Sequence, residues 1–187
     1  MAGLPLIRAM KFFVVEDFLD PATCARTREA MKTSPFINAK VLRENEGIEM
    51  VDERVRSTRR VDVEDEVRSE IVAALDSVRD RAASHFGVSL TETEKPQFLV
   101  YREGDFFQKH MDRDRNDKYR RAVSTILFIN DDYNGGALKF YGGVENKLLE
   151  LTLPPQQGML VGFRADWIHE VQPVTNGERY TVVSWYG

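Results

Sequence analysis

Two stretches, QFLVYREGDFFQKHMD (Gln97–Asp112) and GMLVGFRADWIHEVQPVTNGERYTVVSWY (Gly158–Tyr186), decide the fold of this chain. Each alternates short β-prone runs with turn signals. The same pattern fills the whole of residues 96–187 and predicts strands at Gln97–Arg102, Phe106–Asp112, Ala122–Asn130, Ala137–Tyr141, Lys147–Leu153, Gly158–Phe163, Ile168–Pro173 and Arg179–Tyr186. The segments EGD, NGG, GG, PPQQG and TNGE separate them. So many short strands in succession suit an antiparallel jelly roll, that is, a double-stranded β-helix.

Outward from this core, the first half of the chain is mixed. Phe12–Phe18 (FFVVEDF) reads as a short strand entering a helix. Asp20 is a good N-cap and Pro21 fits the first helical position, so a helix is expected to about Lys32, stopped by Pro35. Leu19 and Cys24 are placed to form a hydrophobic staple across its start. A second helix is expected from Asp62, with Glu64, Asp65 and Glu66 at its N-terminus. Val63, Val67, Ile71, Ala74, Leu75, Val78, Ala82 and Phe86 form one apolar stripe on it, and Gly87 stops it. That stripe is core packing, and His85 in the last turn is structural. Residues 43–60 (RENEGIEMVDERVRSTRR) read mainly as a solvated charged loop ending in a strand near Val55–Val61, with a substrate-covering lid as the alternative. The expected architecture is mainly β with flanking helices: a cupin-like jelly roll packed against N-terminal helices.

With 187 residues, 42% of them hydrophobic and 30% charged, the chain reads as one globular domain. Residues 1–95 form a helical and strand support region, and 96–187 the core. A net charge of −4 argues against a general nucleic-acid surface. One cysteine, Cys24, allows no intrachain disulfide and reads as a small buried apolar residue. No run approaches the roughly 20 apolar residues that span a bilayer. The N-terminus has no signal-peptide pattern, so no membrane and a cytoplasmic location are expected.

His110 and Asp112 are two residues apart and leave a strand on the same face. With His169 from a strand across the barrel, they form a two-His-one-carboxylate set. Such a set holds a divalent metal on one side and leaves the opposite positions open, as in non-haem Fe(II) oxygenases. An H-x-D tripeptide alone is weak. Here it follows an apolar strand and precedes a hairpin-rich region. On the last strand Arg179, Thr181, Val183 and Trp185 share one face. If that face looks inward, Arg179 is a buried cation that needs an anion, and its fork matches a carboxylate. If it looks outward, Arg179 is an ordinary surface residue.

Four separated motifs then stand in order: Y-x-x-G-x-F from Tyr101, H-x-D at His110–Asp112, H-E-V-Q-P-V from His169, and G-x-R-Y at Gly177–Tyr180, followed by W-Y at Trp185–Tyr186. Together they resemble the prolyl 4-hydroxylase-like 2-oxoglutarate/Fe(II) dioxygenases, closest to the hypoxia-factor prolyl hydroxylase branch and its bacterial relatives. The resemblance covers about residues 96–187, with Phe12–Met31 similar to the family's N-terminal entry. It implies Fe(II) on His110, Asp112 and His169, the distal carboxylate of 2-oxoglutarate on Arg179, and Tyr101 as a hydrogen-bond donor to that co-substrate. Tyr101 read without the resemblance would simply close the barrel mouth. Trp185 would be a pocket wall. O2 is the implied oxidant, ascorbate an optional accessory, and succinate and CO2 the by-products. Asp112 fills the ligand position that a related halogenase leaves to halide.

One family feature is missing. Some relatives carry a tyrosine on the strand after H-x-D that assists the arginine, and this chain has Leu127 near that position. Thr125, Thr181 and Tyr119 are the available substitutes. The implied reaction is hydroxylation of an unactivated C–H bond of a prolyl residue in a protein or peptide. The charged loops 43–60 and 113–120 would govern substrate choice, and Arg54, Arg56, Arg59 and Arg60 would face either solvent or an acidic partner. A hydroxylase of a free amino acid or other small molecule, a non-catalytic metal-binding jelly roll and a zinc hydrolase remain alternatives. A nucleic-acid demethylase fits less well, because Trp185 stands where such enzymes carry a second arginine. Oligomeric state is left open.

Overall fold

Side-chain alternation along three neighbouring strands sorts the molecule into two hydrophobic layers. The computed structural model describes residues 11–39, 41–43, 48–50, 52–113, 120–144 and 147–187. In chain order the strands are β1 (Phe13–Val15), β2 (Phe36–Asn38), β3 (Val41–Arg43), β4 (Ile48–Met50), β5 (Arg56–Ser57), β6 (Arg59–Val61), β7 (Gln97–Tyr101) and β8 (Phe106–His110). There follow β9 (Val123–Phe128), β10 (Asn134–Gly135), β11 (Leu138–Val144), β12 (Lys147–Leu153), β13 (Leu160–Arg164), β14 (Ile168–Val171), β15 (Val174–Asn176) and β16 (Arg179–Tyr186). The helices are α1 (Pro21–Thr33) and α2 (Asp65–Phe86). A major sheet runs β1-β13-β9-β16-β7-β6-β2 and a minor sheet β12-β11-β14-β8-β5, with β10-β15 and β3-β4 as small pairs. The strand pairings are antiparallel throughout these sheets, and the core is the jelly roll that the strand pattern predicts.

The major sheet separates the layers. Phe98 and Val100 of β7, Val123 and Leu127 of β9, and Tyr180, Val182 and Tyr186 of β16 pack toward the helices. They meet Ile71, Leu75, Val78 and Ala82 of α2, and Tyr186 Oη donates to the Leu75 carbonyl at 2.8 Å. Burying each large aliphatic side chain there contributes about 1.5–3 kcal/mol. The intervening residues, Leu99, Tyr101, Ile126 and Phe128, face the space between the two sheets with Phe140, Phe163 and Val171. Arg179, Thr181 and Trp185 of β16 share that inward parity and are buried.

Local signals explain the helix ends. Asp20 Oδ1 accepts the amides of Ala22 at 2.9 Å and Thr23 at 3.0 Å, so α1 begins where expected. The Thr23 hydroxyl and amide hold the Asp20 carboxyl below its ordinary range. Leu19 and Cys24 lie buried in one cluster, and burial pushes the Cys24 thiol up to about 11, which leaves it inert. The second helix starts at Asp65, three residues later than Asp62. Asp62 is instead tied down as extended chain: its amide donates to the Pro35 carbonyl at 3.0 Å and its carboxylate pairs with Arg68 at 2.7 Å. Gly87 ends α2, and His85 Nε2 meets the Lys11 carbonyl at 2.9 Å, a structural contact. Among the described residues no helix is long and apolar enough to cross a membrane.

The charged stretch before β6 departs from the expected solvated loop in two ways: Ile48–Met50 pairs antiparallel with Val41–Arg43, and part of Arg56–Thr58 is buried. Arg54 is exposed beside Asp52 and Arg60 is exposed, and half-buried Arg59 pairs with Asp105 at 3.1 Å. Arg56, however, is buried, because β5 pairs with β8 and carries it into the interior. Residues 44–47 and 51 of this stretch, and Tyr119 with most of the 113–120 loop, lie outside the described residues.

The joint between α1 and the barrel is tight at Gly158. This residue has a φ of 79°, its carbonyl accepts the Leu19 amide at 3.1 Å, and a Cβ there would lie 2.2 Å from the Leu19 oxygen. Gly158→Ala is expected to destabilise the fold by at least ~1–2 kcal/mol. Thermal unfolding should show a Tm lower by about 2–8 °C, and an unchanged Tm would contradict the close packing.

Candidate metal centre

The minor sheet sets two histidines side by side. His110 ends β8, and its backbone partner across the ladder on β14 is His169. Asp112 follows two residues beyond the strand end, where its own amide and that of Arg113 donate to the Ala165 carbonyl at 3.0 and 2.9 Å. This turns its carboxylate onto the histidines: Oδ1 lies 3.6 Å from His110 Nε2 and Oδ2 3.6 Å from His169 Nε2. One ligand atom from each residue falls within 4.8 Å of the other two.

Both imidazoles are held in the same tautomer. His110 Nδ1 lies 2.7 Å from the Gln108 carbonyl and His169 Nδ1 3.0 Å from the Trp167 carbonyl. A carbonyl only accepts, so Nδ1 carries the proton and the Nε2 lone pair faces the triad. Phe107 stacks on His110 with ring centroids 3.5 Å apart, and Phe140 and Phe163 flank His169. Burial, helped by the neighbouring His169, pushes the His110 pKa well below its usual value, so the ring is neutral. Burial opposes charge on Asp112 too, but the two imidazoles, Ser124 and Trp185 outweigh it and keep the carboxylate ionised. Ser124 Oγ and Trp185 Nε1 are buried without a partner at full hydrogen-bonding geometry, yet lie close enough to favour that charge. The neutral His110 imidazole and the ionised Asp112 carboxylate are already ligating forms, and His169 presents its Nε2 to the same point.

Arg121 braces this arrangement from behind. It pairs with Glu94, reaches the Asp112 carbonyl at 3.3 Å and lies over the Trp185 ring at 3.6 Å from its centroid. Trp185 therefore supports the Asp112 carboxylate as well as walling the interior.

Deeper between the sheets, Arg179 of β16 stands opposite Tyr101 of β7 in the ladder. The inward reading of its parity holds: it is 1% exposed, with its guanidinium 5.0 Å from the Tyr101 ring centroid and 5.5 Å from that of Phe128. Arg179 Nη1 donates to Thr181 Oγ1 at 3.1 Å, whereas Nε and Nη2 meet no acceptor among the described residues. A buried guanidinium with two unmet donor nitrogens fits a carboxylate arriving from outside the chain. Of the proposed stand-ins for a second contact, Thr181 touches Arg179. Leu127 and Thr125 point to the helix layer, and Thr125 Oγ1 is bonded to the Ser184 carbonyl at 2.9 Å. The inward position belongs to Phe128.

Two residues here are not part of the site expected from sequence: Arg56, expected to face solvent or an acidic partner, and Tyr133, which is not singled out there. Arg56 lies 4.7 Å from the Phe107 ring centroid and links the two halves of the site. Burial lowers its pKa, while the Tyr101 hydroxyl and the Asp112 carboxylate both favour its charge. Tyr133, from the loop after β9, is buried beside Arg179, and its hydroxyl lies close to that guanidinium but has no partner at full hydrogen-bonding geometry among the described residues. No periodicity marks either one, because Arg56 sits in a charged run and Tyr133 in a turn.

Comparison with known proteins agrees with this geometry. Residues 96–187 match the model of the 2OG-Fe(II) oxygenase superfamily. The chain is similar to a PKHD-type hydroxylase of Synechococcus sp., 35% identical over 91 residues that make up 46% of this chain and 39% of the relative. It is also similar to a PKHD-type hydroxylase of Maricaulis maris, 33% identical over 140 residues, covering 72% of this chain and 58% of the relative. The chain thus spans about two-fifths to three-fifths of the length of these relatives. Among solved structures, a Pseudomonas putida prolyl-4-hydroxylase shares the fold with a TM-score of 0.75 at 24% identity, covering 99% of this chain and 96% of that one. A Trichoplax adhaerens prolyl hydroxylase, in complex with a hypoxia inducible factor oxygen degradation domain peptide fragment, gives 0.77 at 21% identity, covering 97% and 86%.

Proposed function

Because residues 96–187 match the 2OG-Fe(II) oxygenase superfamily, we propose that this protein is an iron- and 2-oxoglutarate-dependent dioxygenase hydroxylating an unactivated C–H bond of a prolyl residue in a protein or peptide. One observation carries the reading: a one-sided His110–Asp112–His169 triad shares its interior with a buried guanidinium, Arg179, whose Nε and Nη2 await an acceptor. The donor set fits Fe(II), with nitrogen and oxygen ligands on one side only. Bound there, iron supplies oxygen activation, with 2-oxoglutarate consumed to succinate and CO2.

The chain's own residues bind, orient and shield. His110, Asp112 and His169 hold the metal, each through one ligand atom of the triad. Arg179 receives the distal carboxylate of 2-oxoglutarate, and Thr181 keeps its guanidinium turned to do so. Tyr101 closes the co-substrate pocket, its hydroxyl tied electrostatically to Arg56. Phe128, Phe140 and Phe163 exclude water around the reacting centre. The peptide substrate is supported by the Trichoplax neighbour, which is seen with a peptide.

Anaerobic addition of Fe(II) and 2-oxoglutarate is expected to produce the weak visible charge-transfer band of a chelated keto acid. Its absence in folded protein would leave a non-catalytic metal-binding jelly roll as the better account. With O2 admitted, prolyl peptides should gain one oxygen by mass and free amino acids should not. The reverse result would move the substrate to small molecules. Stimulation by ascorbate is read in the same assay.

A further inference from the structure

We infer that Tyr133 is the second anchor of the distal 2-oxoglutarate carboxylate, donating its phenolic hydrogen beside the Arg179 fork. This rests on the oxygenase reading above and adds a residue to it. The strand position facing that carboxylate carries Phe128, whose ring has no donor. Tyr133 brings a hydroxyl to the same place from the loop that follows.

Among the described residues, three polar atoms in this one buried pocket have no partner at full hydrogen-bonding geometry: Arg179 Nε, Arg179 Nη2 and Tyr133 Oη, the last lying close to the Arg179 guanidinium. Tyr133 is 8% exposed and Arg179 1%. The phenol's pKa is raised by burial and opposed by the Arg179 charge, which places the two groups in electrostatic contact. A carboxylate is acceptor-only, and it can take the two guanidinium nitrogens and the hydroxyl together. Left unmet, the buried hydroxyl makes tyrosine worse than phenylalanine at this position, so its presence needs an external acceptor to be useful.

The backbone is shaped for the pairing. Gly136, with a φ of 58°, lies between the two side chains. A Cβ there would fall 3.0 Å from Arg179 Cδ, 3.2 Å from Tyr133 Cε2 and 2.9 Å from Val174 Cγ2. Only glycine leaves both side chains where they are.

The test compares two keto acids on anaerobic Fe(II)-loaded protein, reading the dissociation constant from the visible band. One is 2-oxoglutarate and the other 2-oxopentanoate, which chelates alike but lacks the distal carboxylate. Tyr133→Phe is expected to weaken 2-oxoglutarate about 10- to 100-fold, the range for one hydrogen bond to a charged group, and to leave 2-oxopentanoate unchanged. Phe128→Tyr in the Tyr133→Phe background should recover part of the loss. In the wild type, 2-oxoglutarate but not 2-oxopentanoate should perturb the near-ultraviolet tyrosine absorption. Unchanged 2-oxoglutarate affinity, or equal losses for both acids, would overturn the role of Tyr133 and leave the oxygenase reading standing. Failure of the wild type to bind 2-oxoglutarate would remove both.

Discussion

Asp112→Ala is expected to abolish ferrous binding and with it the 2-oxoglutarate charge-transfer band. Asp112 is the only anion of the triad, and its two oxygens lie at 3.6 Å from the two Nε2 atoms. Without it, two neutral imidazoles face a divalent cation with no charge to offset its desolvation. Loss of a mere supporting hydrogen bond around a metal costs ~10–100-fold in affinity, so loss of a ligand should exceed ~100-fold. Asp112→Asn keeps the shape and removes the charge, and should also lose the band while remaining folded by circular dichroism. Fe(II) affinity within tenfold of the wild type in both variants would refute the metal centre.

Arg179→Met is expected to move stability and co-substrate affinity in opposite directions. Among the described residues the buried guanidinium makes one hydrogen bond at full geometry, to Thr181, and keeps two unmet nitrogens, so in the absence of an anion it costs desolvation that is only partly offset. Replacing buried ionic groups by apolar ones of similar volume is neutral or stabilising by about 1–4 kcal/mol. The ligand-free variant should therefore unfold at the same temperature as the wild type or higher. Binding of 2-oxoglutarate should weaken by ~2–5 kcal/mol, at least about 30-fold, since a carboxylate would enter an apolar pocket. Iron binding should persist, because Arg179 touches none of the three ligands. A lower melting temperature combined with intact 2-oxoglutarate affinity would show that the arginine serves the fold and not the co-substrate.

The parts of this molecule legible in its sequence are those set by local periodicity. Each strand expected between Gln97 and Tyr186 is present, because alternation and turn residues act over a few positions. Asp20 announced α1 because a cap is a local hydrogen bond. The start of α2 shifted since Asp62 is claimed by the distant Pro35 carbonyl and by Arg68. His110 and Asp112 were readable from spacing, and His169 from its motif. Leu127 against Phe128 shows the limit. A one-residue step along a strand exchanges the two faces of the sheet, so the inward position can be assigned only once the register is known. Arg56 and Tyr133 reach the site through pairing of β5 with β8 and through a turn after β9, both products of tertiary contact.

The major sheet carries a last implication. Its outer strands on both flanks, β1 on one side and β6 with β2 on the other, come from the amino-terminal half. A fragment cut at residue 96 would therefore bare the hydrogen-bonding rims of β13 and β7 together. Such naked rims invite adhesion between molecules. The half that holds the iron ligands depends on the other half to stay dispersed.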